Sequence, residues 1–371
     1  MYHELSEDQE AFRDRLESFA REEVLPRARE IDQKDIFPND LLESAAREGL
    51  LGLLVSPEYG GSGLDHLHLT LAVEELAKAS PSFALTVSVQ NCLVGRTIDR
   101  FGSSDQKEEF LPGLVTGELL GSFALTEPGA GSDLSSLETS AEREGEGYLV
   151  EGEKIFVTNL RPDGASIVFA REGEELVALL IRNDSPGARV GPPIGTMGMR
   201  GSVQAPLSLE GVRVDQGYLL PDGRKVVGSA LDAGRVAVAA QAVGMAQGSL
   251  EEAISHSKER EQFGRPLARF QTMRWRIAEM AVAVEGARLM TRRAARLLDD
   301  GVRSTQKVSM AKLSATRAAM EVTSEAIQVL GGRGCLAGSR VERHFRDARV
   351  ADIYEGTSDV QKMIISSGLL D

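Results

Sequence analysis

Cysteine is nearly absent from this 371-residue chain: Cys92 and Cys335 are the only two. One bridge is the most they could form, which excludes a disulfide framework and leads us to expect a reducing compartment. Histidine is also scarce. His66 and His68 are the one near pair, and two positions apart on a helix they diverge. No Cys/His cluster has zinc spacing, so a capping or solvated role is expected for that pair rather than a metal site. No apolar run approaches the roughly 18–20 residues that a bilayer span requires; the densest, 236–245, is interrupted by Gln241. Residues 1–10 are acidic and polar and lack the basic and apolar regions of a secretory signal, so the cytoplasm is the expected location. Positive charge is in deficit as well. The net charge of −14 argues against a nucleic-acid surface, though a local basic patch can still hold phosphates.

What is present is enough apolar material for a large core, 42% of the chain, at a length that implies about two to three domains. Three zones differ in texture. Residues 1–121 read as helical: Ser6 and Gln9 have capping-box spacing, and Phe12, Leu16 and Phe19 recur on one helix face. Further helices are predicted over 38–50, 69–79 and 88–101. Residues 122–225 contain short strand-like runs at 148–150, 154–158, 166–170, 176–181 and 205–209, separated by Pro, Gly, Asn and Asp. Their spacing predicts a small antiparallel sandwich or barrel, with no helix long enough for a parallel crossover. Residues 226–371 are helical again, with long helices predicted over 233–260, 270–299 and 305–330, as in an antiparallel four-helix bundle. Gly244 and Gly248, four apart, point to close helix packing.

Three segments are candidates for chemistry. Residues 124–133, Ala-Leu-Thr-Glu-Pro-Gly-Ala-Gly-Ser-Asp, combine hydroxyls with glycines that let backbone N–H groups approach a ligand. The same residues can equally form an ordinary Pro-Gly turn, and they lack the dinucleotide-binding glycine spacing. Residues 328–334, Gln-Val-Leu-Gly-Gly-Arg-Gly, read as a helix C-cap, a ligand-binding turn, or both. In residues 353–359, Ile-Tyr-Glu-Gly-Thr-Ser-Asp, Glu355 sits before a permissive glycine. A lone Glu is ordinarily a solvated surface residue, and Thr357 or Ser358 would serve as a helix N-cap.

In order and spacing these segments together resemble the acyl-CoA dehydrogenase family. Residues 123–133 are similar to its first signature, 328–347 to its second, and 354–357 to its catalytic turn. The linking stretches 154–159, 198–202, 231–235 and 259–264 are similar to their family counterparts, so the resemblance runs from about residue 5 to residue 370. It implies a helical domain, a β domain and a helical domain in that order, with FAD bound where the last two meet and completed by a neighbouring subunit of a homotetramer.

Carried over residue by residue, the resemblance implies that Phe123, Leu125, Thr126, Gly131, Ser132, Phe156 and Thr158 contact the flavin half. Phe156 stands where many relatives have Trp. Arg260, Phe263, Gln271, Gln328, Gly331 and Gly332 would reach the cofactor from the neighbouring subunit, and Thr357 and Asp359 would close the site. Ser132, Asp232, Arg235 and Gly356 would face the CoA substrate, and the stretch 231–235 is most similar to the short-chain, butyryl-type branch. The implied reaction passes hydride from the β carbon to flavin N5 while Glu355 takes the α proton, giving a trans-2-enoyl-CoA. Electrons would then pass to an electron-transfer flavoprotein. Some branches place the base just before an Arg at the start of the long C-terminal-domain helix; here that position is Gly234, which cannot act as a base. An acyl-CoA oxidase, a flavin monooxygenase on the same fold and a non-catalytic FAD scaffold are the alternatives, and the retained Glu355 weighs against the last two.

Overall fold

The computed structural model describes residues 5–302 and 304–370. Helices come first: α1 (Glu7–Phe19), α2 (Leu25–Lys34), α3 (Asn39–Arg47), α4 (His66–Ala79), α5 (Pro81–Ser88), α6 (Arg96–Phe101) and α7 (Ser104–Thr116). The expected capping box forms at Ser6 and Gln9, where each side chain meets the other's backbone N–H. Such a cap contributes about 1 kcal/mol. Between α5 and α6 the chain does not break but widens into a π-helical turn, Val89–Gly95. Periodicity alone placed a helix start at 88, because a π turn does not interrupt the apolar pattern. His66 and His68 each meet a carboxylate: His66 Nδ1 lies 2.6 Å from Asp299, and His68 Nδ1 lies 2.5 Å from Asp65, which caps α4.

The strands follow: β1 (Gly121–Ala124), β2 (Ser140–Glu144), β3 (Gly147–Thr158), β4 (Ala165–Glu172), β5 (Glu175–Arg182), β6 (Ala188–Val190), β7 (Gln204–Asp215) and β8 (Leu219–Leu220). They form one sheet in the order β6-β7-β3-β2-β4-β5-β8, with β1 added on β4. Most pairings are antiparallel. The sheet is nevertheless mixed, because β1 and one residue of β2 run parallel to β4. Two predicted strands, 148–150 and 154–158, are the halves of β3, whose ladder with β7 is interrupted between Val150 and Gly152 and between Lys154 and Val157.

The last zone holds α8 (Gly223–Glu259), a short hairpin of β9 (Glu261–Gln262) and β10 (Arg265–Pro266), then α9 (Gln271–Asp299), α10 (Thr305–Leu330), α11 (Arg340–Ala351) and α12 (Ser358–Leu370). Helix α8 begins ten residues before its predicted start, because Asp222 caps it by accepting from Lys225 N–H. By length and composition alone α8 could cross a membrane, although no single apolar run in it is that long. However, 78% of its apolar window is buried inside the protein, so the core accounts for that apolarity. It packs against α10, α4 and α9. At Gly244 a Cβ would lie 2.3 Å from Glu74 O, and at Gly248 2.8 Å from Lys78 O, so both glycines permit the close approach of α4 and α8. One continuous core runs through the helices of both ends of the chain, from Leu16 to Ala351, while the strands enclose a second.

Candidate active site

The turn between α11 and α12 carries Glu355 in the left-handed region at φ +56, followed by Gly356 at +91. A non-glycine residue held there costs on the order of 1–3 kcal/mol and persists only where its surroundings over-determine it. Four hydrogen bonds supply that constraint. The Glu355 carbonyl accepts from Arg235 Nε at 3.2 Å and Gln361 Nε2 at 3.3 Å; the Gly356 carbonyl accepts from Lys312 Nζ at 2.7 Å and Gln361 Nε2 at 2.8 Å. Beside them the Tyr354 hydroxyl donates to Gln241 Oε1, and Gln241 Nε2 donates to Pro81 O at 2.7 Å. With its carbonyls engaged from within, the turn leaves the Glu355 N–H without an acceptor among the described residues.

Glu355 as a whole is half-buried, but one of its carboxylate oxygens is shut in. Its Oε2 is buried and has no hydrogen-bond partner. Burial pushes the carboxyl up to about 7, against the opposing pull of Arg235 and Lys312. The wall beside it is Gly234 on α8, with Leu93 and Cys92 of the π turn. Cys92 feels the same enclosure: burial, then the charge of Glu355, push its thiol up to about 12. A carboxylate ordinarily near 4.3 is a poor match for a weak carbon acid, and a base near 7 is a better one.

Along α8 the next turn continues the site. Arg235 Nη1 donates to Asp232 at 3.0 Å, and Thr305 Oγ1 donates to the other oxygen of Asp232 at 2.7 Å. The segment 124–133 meets β3 through buried chemistry. Ile155 N–H donates to Thr126 O at 2.9 Å, and Lys154 Nζ lies 2.6 Å from Glu127 at full burial. Burial lowers Lys154 to about 8, whereas Glu127, opposed by burial, is held low by N–H donors of 138 and 139 and by Lys154. Both are therefore charged near neutral pH. The irregularity of β3 at this point turns Phe156 outward at φ +56, where it is 56% exposed beside half-buried Thr126 and Thr158.

That surface fits an aromatic, hydrogen-bonding cofactor such as FAD. An aromatic ring stands exposed on a strand that also carries half-buried Thr158, and Gly129 and Gly131 have only open space where a Cβ would project. Phe123 and Leu125 lie behind this face: Phe123 packs on Phe169 at 4.8 Å between ring centroids, and Leu125 is buried. Ser132 is exposed in the loop, and Asp133 caps the short turn after it.

The remaining expected residues gather elsewhere. Arg260 ends α8, 25 residues after Arg235, which is about 38 Å along the helix. Phe263 is 94% exposed on the hairpin, and Gln271 is exposed at the start of α9. Gln328, Gly331 and Gly332 lie at the exposed end of α10, whose Arg333 acts electrostatically on His256 together with Arg260. A single chain thus separates two groups, one at the Glu355 turn and one at the far end of the bundle. Thr357 Oγ1 accepts from Val360 N–H at 3.3 Å and so caps α12, and exposed Asp359 pairs with Lys362.

Sequence reasoning missed Lys312, Gln361, Gln241, Cys92 and Leu93. Lys312 carried a visible signal: it falls on the apolar face of α10 with Val308, Ala311 and Ala315, all buried. A lysine on such a face needs a partner.

Comparison with known proteins agrees over the whole chain. Residues 6–118, 122–212 and 221–370 match the N-terminal, middle and C-terminal domains of acyl-CoA dehydrogenase. The short-chain specific acyl-CoA dehydrogenase, mitochondrial, of Rattus norvegicus is 38% identical over 375 residues, covering 99% of this chain and 91% of that protein. The structure of butyryl-CoA dehydrogenase from Megasphaera elsdenii is similar at a TM-score of 0.97 and 37% identity, with 100% of both chains covered. A chain from a structural study of the electron transferring flavoprotein of Acidaminococcus fermentans is similar at the same TM-score, identity and coverage. The chain belongs to the acyl-CoA dehydrogenase family.

Proposed function

We propose that this protein removes two hydrogens from the α and β carbons of a short acyl-CoA thioester, with FAD as cofactor and Glu355 as base. The observation that carries this reading is the Glu355 carboxyl, raised to about 7 with its Oε2 buried and unpartnered, on a turn held by Arg235, Lys312 and Gln361. Glu355 takes the α proton, and burial lets it do so near neutral pH. Its N–H, left without an internal acceptor, donates to the thioester oxygen as negative charge develops there; one such donor is typically worth about 3–4 kcal/mol. FAD supplies the acceptor for the hydride that leaves the β carbon. Leu93 and Cys92 keep water from the carboxylate.

We assign the flavin face to Phe123, Leu125, Thr126, Gly131, Ser132, Phe156 and Thr158. Thr357 and Asp359 sit beside the base, and Asp232, Arg235, Gly356 and Ser132 face the substrate. Arg260, Phe263, Gln271, Gln328, Gly331 and Gly332 serve the cofactor of a neighbouring subunit. The support for that division is the distance of about 38 Å along α8 between Arg235 and Arg260. A neighbouring subunit requires an oligomer, which we assign as a homotetramer. It is also favoured by the outer face of α9, where Trp275, Val282 and Met290 stand exposed at helical spacing. Residues 1–121, 122–225 and 226–371 are assigned as the three domains, an electron-transfer flavoprotein as the electron acceptor and the cytoplasm as the location. A non-catalytic scaffold or a monooxygenase would have no use for a base of this kind.

Anaerobic addition of butyryl-CoA to the purified FAD-loaded protein tests the reading. Loss of the flavin absorbance near 450 nm is expected, and an unchanged spectrum with every acyl-CoA tried would exclude it.

A further inference from the structure

The chain from α5 to α6 runs antiparallel to α8, and three contacts fix the alignment. Gln241 meets Pro81 O, Leu93 meets Gly234, and Arg96 and Arg100 both meet Ser229. Glu355 lies beside the middle contact. On one side of it the two segments run on among buried groups, Pro81, Gln241 and Met199. On the other side the two segments reach the surface: Arg100 and Gly228 are exposed, and a Cβ on Gly228 would meet nothing within 4 Å. An acyl chain is apolar and short, whereas the CoA moiety is long, polar and anionic. The buried end therefore suits the acyl group and the exposed end suits CoA.

The exposed end is cationic in an otherwise acidic protein. Arg96 Nη1 donates to Ser229 Oγ at 3.2 Å and Arg100 Nη1 donates to the same oxygen at 3.4 Å. Neither arginine forms an ion pair among the described residues, although Arg96 is only partly exposed. The carboxylates that act on Arg96 from farther away are already engaged, Asp232 by Arg235 and Thr305, and Asp299 by His66 and the N–H of Leu67. With two guanidinium groups donating to its oxygen, the Ser229 hydroxyl has its own proton free to donate outward. Ser229, Asp232 and Arg235 succeed one another at steps of three along α8, so Ser229 lies about 9 Å along the helix from Arg235.

We propose that Arg96, Arg100 and Ser229 form an anion subsite that receives a phosphate of the CoA moiety at the exposed end of these two segments. This rests on the acyl-CoA reading above. The two cations offset the repulsion that a chain of net charge −14 exerts on a polyanionic substrate. Bidentate guanidinium geometry suits a phosphate.

The test is calorimetric binding of free CoA and of butyryl-pantetheine, which lacks the phosphates, to the FAD-loaded protein. It compares the native chain with Arg100→Gln and with Arg96→Gln/Arg100→Gln. CoA affinity should fall about 5- to 10-fold in the single variant and about 50-fold or more in the double one, in line with loss of charge-assisted hydrogen bonds. Its salt dependence should weaken, and butyryl-pantetheine affinity should stay the same. Arg100 is exposed, so the single variant reads the site even if the double one folds poorly. Unchanged CoA affinity, or equal weakening of both ligands, would overturn the subsite. Flavin bleaching by butyryl-CoA in the native protein is read separately, so a failure of the enzymatic reading is distinguishable from a failure of the subsite.

Discussion

Gly234 faces Glu355 so closely that a Cβ at position 234 would lie 2.7 Å from Glu355 Oε2 and 2.8 Å from its Cδ. The sequence showed only that Gly234 cannot supply a base. The structure adds that its missing side chain leaves the room that the base at 355 occupies. The two positions are coupled by volume, and a side chain at one is incompatible with this placement of the carboxylate at the other.

Gly234→Ala therefore separates helix stability from catalysis. In a helix interior Ala is favoured over Gly by about 1 kcal/mol, so the long helix itself should not weaken. The added methyl must instead displace the carboxylate, and a misplacement of about 1 Å can cost about 100-fold in rate. The expected outcome is a variant that folds and retains FAD, with kcat reduced about 100-fold. Native kcat in stopped-flow flavin reduction would show that the contact tolerates the methyl.

Lys312 offers a test through pH. Because the Glu355 carboxyl of the free protein is raised to about 7, the fraction of ionised base, and with it kcat/KM, should rise as pH increases through about 7. Lys312 opposes that rise in pKa from within the core and holds the Gly356 carbonyl at 2.7 Å. Removing the cation in Lys312→Met should raise the pKa of Glu355 further, moving the acidic limb of the pH–kcat/KM profile to higher pH. The loss of rate should be largest below pH 7 and should narrow on the alkaline side. A variant that is slower by the same factor at every pH would reduce Lys312 to a packing role.

Lys154→Met isolates the support behind the flavin face. Lys154 and Glu127 are paired at near-complete burial, and breaking such a pair by removing one partner typically costs about 3–5 kcal/mol. Two backbone N–H donors remain on Glu127, at 2.6 and 3.0 Å, so the lower end of that range is expected. The thermal midpoint should fall and FAD should dissociate more readily, with fluorescence of released flavin as the readout. Retention of both would place the pair outside the support of the 124–133 segment.

Much of this architecture was legible from periodicity, and the reasons for the exceptions are physical. The Ser6 and Gln9 capping box and the bounds of α10 follow from local chemistry, and the structure reproduces both. The start of α8 did not show, because Asp222 caps it from a left-handed conformation that composition does not announce. The split of β3 into two predicted runs coincides with the break in its ladder between Val150 and Gly152, and a second break, between Lys154 and Val157, is the one at the exposed ring of Phe156. Glu355 was identified only through the order of motifs around it, since nothing local distinguishes it from a surface carboxylate. Its enclosure by Leu93 and Cys92, its hold by Lys312 and Gln361 and its fit to Gly234 all come from residues distant in sequence.

The most direct test of the account is anaerobic flavin reduction by butyryl-CoA in Glu355→Gln. Gln is nearly isosteric, so the variant should keep FAD, bind butyryl-CoA and perturb the flavin spectrum on binding. Without a base, the absorbance near 450 nm should then persist where the native protein bleaches. Bleaching at the native rate in Glu355→Gln would contradict the assignment of Glu355 as the base.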